Sequence, residues 1–582
     1  MLWTLNQARR LRSDDHWLNH CLGKAILFLA LLLSSSALAT DDWSYSDYWG
    51  LNGWKQLPDL ATVPLNIAKS SGNGITLSWV IDAPPNTNNA GVFLQTTTNL
   101  SSEGEWTVVT NSPQIFPDTG HRSVLLPKTD PQRFFRLIAV ETNVFPVFQF
   151  AVFYDSQLEF TQSAPFTFNG RVHANGPICM GAASGNTLRF NHTVTTASSI
   201  VISNLGGYSS FSTPVYAGSP AYRTNTPELK LSGVTSNHTI IELPPESESP
   251  LSSQWQQRYF NKAAVVLLVS NNTVTVNVKS LGADASTGIV SNYTFYSYSN
   301  INPAVYMSSN IVYQRSNLLN ELPFLNLTNR FYDYRENKWV MPTQIDVSLL
   351  KTWLLTNSAV NAKFPAGTGN YPTIMYVGDF RTVTNLHAVR VMNGAIIPTN
   401  GPSHSQAQGF TLATINPIYV WGHYNCPNVS HLGTTNTTAV FPTSLVGDAI
   451  MVLSSNWQDA TYGNAGSGGY GVSGLSNRDA ANTTVNAAII AGAVYTTGTG
   501  AGNWSGGIQN LPRLLEDWYG RTFTLNTALV NLYPSVKATV QHQNPGTYYH
   551  APIRNFNFDQ NFGNPAKLPP GTPTVVTSTP IQ

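Results

Sequence analysis

Val147 to Gly176 reads "VFQFAVFYDSQLEFTQSAPFTFNGRVHANG". Apolar and polar residues alternate with the period of two expected of strands. The run then enters "FNGRVHANG", where Arg171 and His173 flank a small valine between two Asn-Gly pairs. In an extended chain Arg171 and His173 share one face and Val172 takes the other. A general base needs a nucleophile or an orienting carboxylate within hydrogen-bond reach, and the local sequence offers only Arg171 and Asn175. The stretch is therefore read as one rung of a repetitive β scaffold. Gly170, Arg171, His173, Asn175 and Gly176 form its structural motif: Val172 packs inward, and the Asn-Gly pairs turn the chain where φ must be positive.

The same grammar recurs downstream in "NTLRFNHTVTTASSIV", "AVRVMNGAIIPTNG", "NPIYVWGHYN" and "TTVNAAIIAGAVYT". Each combines a short β-branched or apolar run with a turn rich in Asn and Gly. Such rungs predict a β-solenoid or β-helix-like domain over 143–565, with a multi-sheet β-sandwich as the alternative. Helices are few: "QIDVSLLKTWLLTN" has apolar residues at helical spacing behind a capping Asp346, and "IQNLPRLLEDW" is a second, shorter candidate. A Pro/Thr-rich tail, 566–582, is expected to be extended or disordered.

Toward the amino terminus, "NGITLSWV", "GVFLQTTTNL", "EWTVVT", "RSVLLP" and "RFFRLIAV" are short strands separated by turn residues. They predict a small β-sandwich over 61–142, and the pattern resembles fibronectin type III-like modules of secreted bacterial proteins. An aromatic leader, 40–60, precedes it. Residues 1–39 have a basic segment, the apolar run "AILFLALLL" and a small-residue Ala37-Leu38-Ala39 ending, the three parts of a secretory signal peptide with cleavage expected after Ala39; an uncleaved membrane anchor is the alternative. The fold class is thus mainly β, a small sandwich followed by a larger solenoid-like domain with a few short helices.

Composition agrees with export. Only 10% of the 582 residues are charged, against about a quarter in an average soluble protein. With 31 basic and 30 acidic residues there is no net field to attract nucleic acid. No second apolar run reaches membrane-spanning length, so no transmembrane segment is expected in the mature chain. Beyond the signal only Cys179 and Cys426 remain; a disulfide between them and two separate buried thiols both stay open.

The remaining residues with chemical potential read as structure. His423 in "VWGHYNCP" repeats the strand-to-turn setting of His173. Ser467 lies in the Gly-rich "GNAGSGGYGVSGLS" without the strand and helix of a nucleophile elbow. Glycoside hydrolysis requires two carboxylates about 5 to 10 Å apart; Asp346, Asp448, Glu516, Asp517 and Asp559 are the candidates, and capping or turn formation is the simpler role for each. No calcium-loop pattern occurs, and neither a metal nor a cofactor is predicted.

The order of segments carries a resemblance. "VFQFAVFYDSQLEF…FNGRVHANGPICMG", "YRENKWVMPTQIDVSLLKTWL", "IYVWGHYN", "VNAAIIAGAVYTT…GNWSGGIQNLPRLLEDWYGRTFTLNTALVNLY" and "YYHAPIRNFNFDQNFGNPAKLPPGTP" resemble PilX-like bacterial pilus-assembly and surface proteins over Val144 to Pro573. The resemblance implies a non-enzymatic exported structural or adhesion protein. Its implied place is the periplasm, outer surface or medium, and its implied partners are surface or pilus proteins or glycans. A conventional signal replaces the pilin leader, and the only "GFTL", Gly409 to Leu412, is internal; a secreted or surface-attached relative is expected rather than a shaft subunit. The alternative is a secreted glycosidase or lyase on a β-helix. The oligomeric state is left open.

Overall fold

The computed structural model describes Arg9–Arg10, most strand residues between 65 and 144, and residues 145–580 apart from 250–251, 272–273, 279–295, 298–321, 366–370, 383–384, 400–408, 460–474 and 545. The predicted signal (but for Arg9–Arg10, paired with Phe134–Phe135), the aromatic leader and the loop around Ser467 lie outside the described residues. The chain is mainly β with few helices, and it divides into two compact units: residues 1–144 with 577–582, and residues 145–576. Among the described residues no helix is long and apolar enough to cross a membrane.

In the first unit, Gly74–Val80 pairs antiparallel with Asn66–Lys69 and His121–Pro127, and Gln114–Phe116 adds to the latter. A second antiparallel sheet joins Gly91–Thr97 to Phe134–Pro146 and Thr107–Val108. The period-two reading is visible in burial: Ile75, Leu77, Val124 and Leu126 are buried while Leu125, between the last two, is 59% exposed.

The second unit is dominated by parallel pairing. Phe166 pairs with Leu188, Val172 with Val194 and Ile178 with Ile200, so three consecutive strands meet their counterparts in the next round at one constant offset. The preceding round is slightly shorter, since Val152 pairs with Val172 and Leu158 with Ile178. Val152, Val172 and Val194 thereby stack in one hydrophobic cluster with Phe160, Met180 and Phe168.

A twelve-stranded sheet runs the length of this unit, and its order differs from chain order. From Phe150–Tyr154 a first run proceeds through Arg171–Ala174 and Val194–Thr196 to Tyr222–Arg223. The chain then crosses to the far end at Val265–Val269. A second run works back through Ile374–Asp379, Phe410–Thr414, Thr443–Gly447, Ala488–Ala491 and Leu529–Asn531. Its last strand pairs parallel with the free side of the first: Leu529 with Val152, Val530 with Phe153 and Asn531 with Tyr154. Only the hairpin partners Val274–Val278 and Tyr296–Ser297 are antiparallel in this sheet.

The connecting residues 224–264 lie against that sheet. The Asn237 amide donates to the Leu532 carbonyl at 3.0 Å, and the Tyr376 hydroxyl donates to the Ile241 carbonyl at 2.6 Å. Leu229, Leu231, Ile240, Ile241 and Tyr259 are buried. This cover explains why the sheet reads as nearly continuous apolar runs, as sheets buried on both faces do.

Helix Val347–Thr356 forms as expected, with Asp346 accepting from the Ser348 and Leu349 amides, and Leu350, Trp353 and Leu354 join the core. The second expected helix does not form. Ile508–Asn510 is a single 3-10 turn, and Pro512–Leu514 pairs parallel with Ile450–Val452. The apolar spacing of "IQNLPRLLEDW" fits a helix, but burial of Leu511, Leu514 and Leu515 is achieved by a strand. Pro512 is tolerated because this strand ends its sheet. The tail is extended, as Thr574–Pro580.

Candidate functional site

Strand Arg171–Ala174 sends Val172 and Ala174 into the core and His173 to the covered face. His173 is fully buried, 5.4 Å from the Phe153 ring and 6.1 Å from that of Phe150. Its Nδ1 lies 2.9 Å from Thr195 Oγ1 on the next strand and its Nε2 lies 3.0 Å from Asn175 Oδ1. An amide oxygen only accepts, so Nε2 carries the proton. Burial lowers the imidazole pKa to about 4, against the smaller upward pull of Asn175, and the ring is neutral at pH 7.

Asn175 extends the chain of bonds. Its Nδ2 donates to Asp155 Oδ1 at 2.9 Å and to the Leu229 carbonyl at 2.8 Å, while its Oδ1 accepts from the Leu229 amide at 2.9 Å. One side chain thus satisfies both backbone groups of a residue in the connecting segment. Burial raises the Asp155 pKa and lowers that of Arg171. The motif is a clamp between a strand and the segment laid over it.

The glycines serve it differently from expectation. Neither Gly170 nor Gly176 has positive φ. A Cβ on Gly170 would lie 2.7 Å from Phe558 Cδ1 and 2.9 Å from Ala151 Cβ; one on Gly176 would lie 2.6 Å from the Ser156 carbonyl carbon. Close approach of neighbouring chain excludes side chains at both positions.

Cys179 and Cys426 are free, buried thiols, so the disulfide left open by the sequence is not formed. Cys179 lies in strand Ile178–Ala183, and Cys426 follows Ile418–Trp421 of a different sheet. Burial pushes their pKa values up, to about 11 for Cys179 and about 12 for Cys426. Thiolate chemistry at pH 7 is suppressed. Cys426 Sγ donates toward the Tyr424 and Thr484 carbonyls at 3.3 and 3.4 Å.

Each of the five carboxylates considered for catalysis has its own partners. Asp346 caps its helix and accepts from Asn393 Nδ2 at 2.6 Å. Asp448, fully buried, accepts from the amides of Val536, Lys537 and Ala538 and from the Ser535 hydroxyl. Glu516 accepts from the Ser454 amide at 2.6 Å and lies 2.7 Å from its hydroxyl; burial raises its pKa to about 7 despite these bonds and Arg478. Glu516 and Asp517 are not on a helix but follow the Pro512–Leu514 strand. Asp517 Oδ1 is 2.9 Å from His550 Nδ1. Asp559 accepts from the Thr437 hydroxyl at 2.8 Å and from the Asn561 amide at 3.0 Å, and it lines a small cleft with Phe441, Phe562 and Lys567. His423 accepts from the Thr484 amide at 3.1 Å.

Sequence reasoning missed two arrangements. Asn486 is in register with Asn526, and Asn526 with Asn557. Asn526 Nδ2 donates to Asn486 Oδ1 at 2.8 Å, and Asn486 Nδ2 donates to the Asn425 carbonyl at 2.9 Å. The signal was an Asn at or near the end of an apolar run in "YN", "VNA", "LNT" and "FNF". Second, "FYDYREN" holds a buried ionic group: Glu336 accepts from Arg513 at 2.8 Å, and Asp333 accepts from the Tyr419 hydroxyl at 2.5 Å. Nothing local in the sequence pairs residues so far apart. Among the described residues no three His, Cys, Asp or Glu side chains gather as metal ligands.

In comparisons with known proteins, no family model, no curated protein and no solved structure matches this chain.

Proposed function

We propose that the chain is an exported, non-enzymatic structural or adhesion protein of the cell surface, akin to PilX-like pilus-assembly and surface proteins. In this reading residues 145–576 form a β-solenoid, and the amino-terminal sheets form a fibronectin type III-like sandwich. The observation that carries it is the engagement of all five candidate carboxylates with amides, hydroxyls or an imidazole of the fold. A solenoid is supported by parallel strands that recur at nearly constant offset from Leu158 to Ile178 to Ile200, and by the Asn486–Asn526–Asn557 ladder.

Fractionation with intact-mass measurement tests export: protein at the surface or in the periplasm should begin at or near Thr40. Crosslinking on intact cells should then recover surface or pilus components. Glycan cleavage that disappears in Asp517→Asn or Asp559→Asn, with folding retained, would replace this reading by the glycosidase alternative.

A further inference from the structure

The first and second runs meet at three successive strands of the first run, by sheet pairing at one of them and by side-chain contacts at the other two. On the twelve-stranded sheet, Leu529–Asn531 pairs with Phe150–Tyr154, and the Asp155 amide donates to the Asn531 carbonyl at 2.9 Å. Next along the chain, strand Leu158–Ser163 meets 496–510. There Gln509 Nε2 donates to the Thr161 carbonyl at 3.0 Å, and the Ser505 hydroxyl donates to Glu159 Oε2 at 2.7 Å. Thr496 donates to the other Glu159 oxygen. On the third side the Phe166 and Phe556 rings stack at 5.5 Å, and Gln560 Nε2 donates to the Asn169 carbonyl at 3.0 Å. Glu159 is 3% exposed; besides Gln157, which donates at 2.9 Å from just before its strand, its side-chain donors are Thr496 and Ser505.

We propose that residues 145–223 and 265–563 are two halves that dock along this three-sided joint as the last step of folding, a closure device that needs no backbone continuity through 224–264. The strands that meet, Phe150–Tyr154 and Leu529–Asn531, are separated by most of this unit's chain. Their pairing therefore carries a loop-closure cost that neighbouring rounds avoid. Until Leu529–Asn531 arrives, Phe150–Tyr154 is paired on one side only, by Arg171–Ala174. Inside the joint the second half supplies what the first lacks: without Thr496 and Ser505, Glu159 keeps only the Gln157 amide as a side-chain donor.

A cut in the exposed turn Pro245–Ser247 tests the device on the full chain. A protease site inserted between Glu246 and Ser247 is cleaved after folding. The two pieces should co-elute in native buffer, separate in denaturant and re-form one particle on its removal. Glu159→Ala should weaken the nicked complex at least tenfold while the uncut variant stays folded. Separation of the pieces in native buffer, or nicked complexes indifferent to Glu159→Ala, overturns the proposal.

Discussion

Gly170 and Gly176 show how one residue type does two jobs in the same motif. A methyl at Gly176 meets backbone, the Ser156 carbonyl carbon and the Gln157 nitrogen, whereas one at Gly170 meets mostly the edge of the Phe558 ring. Rings can shift by a small distance more cheaply than a paired backbone. Gly176→Ala should therefore lower the melting temperature more than Gly170→Ala; the reverse order would contradict the packing argument. His173 and Glu516 make a second prediction at this scale. His173 falls from an ordinary 6.5 to about 4, so the unfolded chain takes up its proton first and stability declines as pH drops from 6.5 toward 4. Glu516 rises from 4.5 to about 7, so the unfolded chain releases its proton first and stability declines as pH climbs from 4.5 toward 7. Each effect is worth roughly 3 kcal/mol at about 1.4 kcal/mol per pH unit, and between pH 4.5 and 6.5 the two oppose. Relative to the parent, Glu516→Gln should tilt stability upward with pH across that window, and His173→Asn should tilt it downward. Denaturant midpoints at four or five pH values would show both slopes, and parallel profiles for the two variants would refute the assignment.

Among the elements, the strands were legible as short apolar or β-branched runs between Asn- and Gly-rich turns. Val172 and Ala174 face inward in a covered sheet as they would in an open one. The helix at Val347–Thr356 was legible from Asp346 and the turn-spaced apolar residues behind it, and Asp346→Ala should cost about 1 kcal/mol in equilibrium unfolding. "IQNLPRLLEDW" misled because apolar residues at helical spacing also fit a turn followed by a buried strand. The Asn ladder was legible only in part: an Asn at or near the end of each strand is visible, but its register is not. Asn526→Ala should cost roughly 1 to 3 kcal/mol, since it strands the Asn486 Oδ1 and Thr434 carbonyl acceptors. An equal loss for Asn191→Ala, whose bonds to Asn169 and Arg189 are exposed, would show that burial of the ladder is not the cause.

For the 145–576 unit the sequence was least informative about order, because nothing local in "FAVFY" announces that Leu529–Asn531 will be its neighbour. The clamp residues were found, yet the segment they clamp was not, since Asn175 and Leu229 are joined only by the folded path. That path predicts a pattern of amide exchange unlike chain order. Tyr222–Arg223 ends the long sheet, and Ile200–Ile202 ends its own path with Val201 and Ile202 exposed; both should exchange early. Phe150–Tyr154 opens the first run but is paired on both sides, fully buried at Phe150, Val152 and Phe153, and covered by the connecting segment. Its amides should be among the slowest, alongside Ala488–Ala491, although it begins the first run. These two strands are remote in sequence, yet in the sheet only Leu529–Asn531 stands between them. Exchange at Phe150–Tyr154 as fast as at Tyr222–Arg223 would mean that the second run does not seat on the first, and the pairing of Leu529 with Val152 would be lost with it.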